Sequence, residues 1–148
     1  MLDSLDKLLV RDLSKIQEEI RLYKDESLLW KTSEGISNSA GNLVLHVAGN
    51  LQFFIGATLG GSGYVRQREL EFSSKDIPVE QLLSELEKAK HAVQTTLAKL
   101  SESELKKAFP IDVFKQEMST EMFLLHLLTH TSYHLGQINY HRRIVAAN

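Results

Sequence analysis

The chain has 148 residues, 43% of them hydrophobic and 24% charged, with a net charge of −2 and no cysteine. A chain of this length buries roughly 70% of its extended surface without staples, so one domain over residues 1–148 is expected. The composition excludes disulfides, thiolate ligands and a cysteine nucleophile, and the interspersed charges, with no basic cluster beyond Arg142-Arg143, argue against nucleic acid as a partner.

The opening segment MLDSLDKLLVRD carries acids where a signal peptide would carry bases. No continuous run reaches the ~18 apolar residues that span a bilayer, so no membrane partner and a cytoplasmic setting are expected. Leu2 to Tyr23 predicts a first helix, with Leu5, Leu8, Leu9, Leu13, Ile16, Ile20 and Tyr23 on one stripe and Asp3, Asp6, Asp12, Lys15 and Glu18 among the polar positions. A loop over 24–38 follows, in which Trp30 covers one end of a bundle or lines a pocket. A second helix starts near Ser39, capped by Ser37 or Ser39, and runs to about Leu59. Its Gly41, Gly49 and Gly56 each cost of order 1 kcal/mol against alanine, which makes sense where a neighbouring helix or a ligand approaches closely. Asn50 follows His46 by one turn, placed to bond a metal-bound water, to orient a ring, or simply to be hydrated.

The stretch Gly60-Gly61-Ser62-Gly63-Tyr64-Val65-Arg66-Gln67-Arg68-Glu69-Leu70-Glu71-Phe72 reads as a long loop over 60–77. It lacks the Lys-Ser/Thr of a phosphate-binding loop and the spacing of a dinucleotide fingerprint, and its length suits a lid, a specificity loop or a contact surface. Arg66 and Arg68 are candidates to hold an anionic cofactor or substrate; pairing with Glu69 or Glu71 to pin the loop is the alternative. A third helix begins at Asp76-Ile77-Pro78 and runs to Leu100, and Ser101-x-x-Glu104 is a capping box for a short helix. Ile111 to Glu117 is expected to lie extended across the bundle end. Ser119 or Thr120 then caps a fourth helix reaching about Ala146. The fold class is all-α, a four-helix bundle with long loops and a short extra helix.

Within that last helix, FLLHLLTHTSYHLGQINYH (Phe123 to His141) combines an apolar period with titratable groups. His130 and His134 lie one turn apart, near the face of Phe123, Leu127, Ile138 and His141. His126 and His134 are separated by about 12 Å of rise and about 80° of rotation, so the three cannot share one ion. An adjacent pair can, with further ligands from another helix or from water. His46, in Leu43-Val44-Leu45-His46-Val47, is the obvious supplier. The site expected is His46, His130 and His134 with at least one position open, and Asn50, Tyr64, Tyr133 and Gln137 as polar neighbours. His91 reads as a surface histidine, and His126 and His141 as satisfied core or interface histidines.

His46 followed by Ala48-Gly49-Asn50, joined to His126-x3-His130-x3-His134-Leu135-Gly136-Gln137-Ile138, resembles the DinB/YfiT superfamily of metal-binding four-helix bundles. HVAGN, GGSGYVRQRELEF and YHLGQINYHRR resemble a branch of unassigned function. The resemblance implies one divalent ion per chain, nickel or zinc, held by His46, His130 and His134, with His126 near but not a ligand. Leu135 stands where many relatives have arginine, so that arginine's role does not carry over. Members with known activities are glutathione-, mycothiol- or bacillithiol-dependent transferases and isomerases, and the superfamily is often dimeric. A transferase using a low-molecular-weight thiol and a small-molecule substrate is therefore the leading expectation, as a homodimer. A metal-dependent hydrolase and a non-catalytic structural or stress-related interaction module are the alternatives. No His-Glu-x-x-His is present, which weakens a peptidase reading.

Overall fold

The computed structural model describes residues 1–147. Its helices are α1 (Leu2–Arg21), α2 (Ala40–Leu51), α3 (Arg68–Ser73), α4 (Val79–Leu97), α5 (Glu102–Leu105) and α6 (Thr120–Ala147). The fold is all-α. Helices α1, α2, α4 and α6 form the four-helix bundle, with α1 packed on α4 and α6 and α2 packed on α4, α6 and α3. Along α1, Leu5, Leu9, Leu13, Ile16 and Ile20 are at most 1% exposed, each contributing about 1.5–3 kcal/mol by burial.

Helix α2 differs in kind. Nearly every residue from Ala40 to Leu51 is buried, because neighbours lie on three sides of it. Ala40–Leu59 is apolar and long enough to cross a membrane by composition and length alone, yet 72% of that window is buried inside the bundle. The same helix continues as a π-helical stretch, Gln52–Leu59, whose Phe54 meets Phe123 of α6 at 5.1 Å between ring centroids. Since His46 meets His130 and Phe54 meets Phe123, α2 and α6 run antiparallel. Ser39 caps α2 through the Asn42 amide. Trp30 sits at the end of a 3-10 turn, Glu26–Trp30, and packs on Gly41, where an added Cβ would come within 2.7 Å of the indole. Trp30 is thus a packing residue, 8% exposed.

Three segments depart from expectation. The 60–77 stretch is not loop throughout: it contains α3, held to the bundle by Asn42 Nδ2, which donates to the carbonyls of Glu71 and Ser74 at 2.9 Å each. Helix α4 ends at Leu97 rather than Leu100, with Pro78 at its N-cap instead of its first turn. Residues 111–117 are not extended. An antiparallel bridge between Ala108 and Ser119 closes them into a loop, with Lys115 at φ +54° turning the chain back. The capping box at Ser101 and Glu104 is present, and Ser119 Oγ accepts from the Met122 amide at the start of α6.

Candidate metal centre

The antiparallel contact of α2 and α6 sets His46 against the one-turn pair His130 and His134. His46 Nε2 and His130 Nε2 lie 3.1 Å apart, as do His134 Nε2 and His130 Nε2, and the ligand atoms of all three lie within 4.8 Å of one another. A tetrahedral ion at about 2.0–2.1 Å from each nitrogen would hold ligand atoms roughly 3.3 Å apart. The spacing suits one divalent ion.

Hydrogen-bond partners decide where the lone pairs point. His46 Nδ1 lies 3.1 Å from Glu71 Oε1 and His134 Nδ1 lies 2.7 Å from Gln137 Oε1, so both rings donate outward from Nδ1. Their Nε2 lone pairs then both aim at His130 Nε2, which can offer a proton to only one. Three converging acceptors with too few donors match what a cation requires, and each Nδ1 partner fixes a ring as in known metal sites. Burial, then the neighbouring His134, His46, His126 and Arg66, hold the His130 imidazole neutral, its pKa pushed down to about 3. Burial also lowers His134, against a raising contribution from Gln137. Neutral rings are the form that ligates.

Glu71 is the residue that sequence spacing did not single out for this site. Its carboxylate is buried and takes Arg66 bidentately, Nε to Oε2 and Nη2 to Oε1, at 2.9 Å each, beside the His46 bond. Burial alone would raise its pKa, but the hydrogen bonds from His46 and Arg66 with the Arg66 charge hold it below the usual carboxylate value. The carboxylate occupies the space beside Gly49 where a side chain would begin. That glycine, one turn beyond His46 on the α3 side, was the available signal. A methyl group there collides with Glu71 Oε2, so Gly49→Ala is expected to push the carboxylate off His46 and weaken metal binding by roughly tenfold or more. Chelator competition measures it, and an unchanged affinity would contradict this placement.

The other candidate residues are distributed as follows. Gln137 contacts His134, and its amide nitrogen donates to Tyr133 Oη at 3.3 Å; the Tyr133 ring, 65% exposed, stands 5.4 Å from the His134 ring. Phe72 packs on His46 at 4.9 Å, and the exposed Arg68 guanidinium lies over Phe72 at 5.2 Å. Arg66 and Arg68 therefore have different environments: the first is bound to Glu71, the second lies toward solvent. Tyr64 is not brought to the histidines. It lines a cavity of about 960 Å³ between the π-helical end of α2 and α4, and a second, smaller cavity together with Gly49 and Glu71. Asn50 is buried, and its Oδ1 has no hydrogen-bond partner.

His126 stands one turn before His130, 6.0 Å ring to ring, and meets Phe114 edge-on at 4.9 Å. His141 is buried between Tyr23 Oη and the Lys31 carbonyl, at 2.7 Å from each. His91 is exposed on α4. Among known families, one described as a protein of unknown function, DUF1572, matches residues 1–148. No curated protein matches the chain.

Proposed function

The chain belongs to the DUF1572 family of proteins of unknown function, as a DinB/YfiT-like metal-binding bundle, and on that footing we propose a transferase. It would use one divalent ion, nickel or zinc, and an external low-molecular-weight thiol to modify a small-molecule substrate. The observation that carries this reading is the charge balance of the site. Three imidazoles converge on one point, and the one carboxylate that touches the cluster, Glu71 against His46, is already engaged by Arg66. Such a site favours a reaction partner that brings its own nucleophile over one that needs a free carboxylate base.

A bound ion supplies positive charge that lowers the pKa of a thiol or water placed on it. The chain's own contribution is positional. His46, His130 and His134 supply the ligand set, while Glu71 and Gln137 fix two of the rings. Arg68, with no carboxylate partner among the described residues, holds the carboxylate of the thiol cofactor, and Phe72 and Tyr133 flank its body.

The test is metal content by elemental analysis, followed by titration of the cobalt-loaded protein with glutathione and other small thiols. A saturable thiolate charge-transfer band is expected, with Arg68→Ala weakening thiol affinity about five- to tenfold, the worth of one charge-assisted bond. Water exchange without thiol binding would replace the transferase with a hydrolase. A site that exchanges neither is structural.

A further inference from the structure

Two buried polar atoms beside the candidate metal centre have no hydrogen-bond partner, Asn50 Oδ1 and His130 Nδ1. Their chemistry is complementary. With His130 Nε2 turned to an ion, the ring proton sits on Nδ1, a buried donor that costs about 1–3 kcal/mol if left unpaired. Asn50 Oδ1 is a buried acceptor on a side chain only 7% exposed.

The fold places them on facing helices, with Asn50 one turn along α2 from the level at which His46 meets His130. His46 touches His130 and Phe54 touches Phe123, so Asn50, one turn from each on α2, faces the segment of α6 between residues 123 and 130. The His130 side chain leans back toward that segment, since helical side chains tilt toward the N-terminus. On the α3 side of α2 the corresponding position is Gly49, filled by Glu71, so the Asn50 amide is the group left to face α6.

We propose that Asn50 positions His130 through one bound water, which accepts from His130 Nδ1 and donates to Asn50 Oδ1. Each of the three ligating rings then has a fixed outer partner: Glu71 for His46, Gln137 for His134, and Asn50 through water for His130. The inference rests on the metal reading above and is independent of the thiol.

Zinc affinity by chelator competition tests it, together with nitrogen NMR of the His130 ring in the zinc-loaded protein. Asn50→Ala is expected to weaken zinc binding about tenfold and to expose the His130 Nδ1 proton to fast exchange. Asn50→Asp, whose carboxylate accepts the same bond more strongly, is expected to keep both the affinity and the protected proton. Thermal melts of the metal-free variants separate positioning from a general loss of fold. If Asn50→Ala matches the unsubstituted protein in affinity and in proton exchange, the positioning role is overturned while the metal site stands. If the unsubstituted protein binds no zinc, nickel or cobalt, the metal reading falls and this inference with it.

Discussion

Glu71→Ala is expected to lower metal affinity roughly 10- to 100-fold, the usual loss when a ligating histidine loses its outer partner. It is also expected to cost the metal-free fold about 3–5 kcal/mol, because the change leaves a buried cation without its anion. The Arg66 and Glu71 side chains are 11% and 7% exposed, and both charge-assisted bonds of the guanidinium fall on that one carboxylate. The two effects separate in a double variant. Replacing Arg66 by leucine in the Glu71→Ala background removes the stranded charge, so part of the stability should return. Metal affinity should not, since His46 still lacks its acceptor. Urea unfolding and chelator competition on the unsubstituted protein and the two variants measure this. Recovery of both quantities together would mean that Glu71 acts only by holding α3 in place.

His130→Phe is expected to trade metal for stability. Removing one of three ligands costs on the order of 3 kcal/mol or more, a loss above a hundredfold, given the ~10–16 kcal/mol with which structural zinc sites bind. The metal-free variant should nevertheless unfold at or above the temperature of the unsubstituted chain. His130 carries an unpartnered buried nitrogen, and phenylalanine removes it without leaving a void.

Acid separates the two proteins further. The folded pKa of His130, about 3, lies below the 6.5 of a free imidazole. At low pH the unfolded chain therefore binds a proton that the folded chain refuses. The contribution of His130 to the stability of the metal-free protein is fully present above about pH 6.5 and is lost progressively as the pH falls from there toward 3. His134 contributes in the same direction. In His130→Phe the slope over that window should be shallower. The urea midpoint followed from pH 7 to pH 4 reads it, and equal slopes would show that His130 is not held neutral by the fold. Metal should stabilise the unsubstituted protein by about 2.7 kcal/mol at a hundredfold excess over its dissociation constant, moving its urea midpoint up, and leave that of the variant nearly unchanged.

The helices were legible because burial imposes a period. Leu5, Leu9, Leu13, Ile16 and Ile20 repeat at helical spacing and are buried in α1, while Leu8 of the same stripe is only half-buried. Ser39, Ser101 and Ser119 announced helix starts, since a side-chain oxygen that satisfies a terminal amide is a local need met locally. The His130 and His134 pair was equally readable, four residues apart on one helix. Where the local signal was weak, the reading slipped. Arg68–Ser73 is too short to show a period and is held by Asn42, 29 residues away from Glu71 in the chain. The 111–117 segment is shaped by a bridge between its flanks rather than by its own residues.

The chain alone therefore determined an all-α bundle, two ligands fixed by the pitch of a single helix, and a third histidine able to join them. Only the tertiary structure decided what surrounds those rings. Arg66 is spent on Glu71 while Arg68 is not, Tyr64 faces a different cavity, and Glu71 reaches His46 through the space left by Gly49. Spacing along one helix is set by covalent geometry and can be counted from the residues. Contacts between helices depend on how α2, α3 and α6 pack, and that is settled by the burial of many side chains at once.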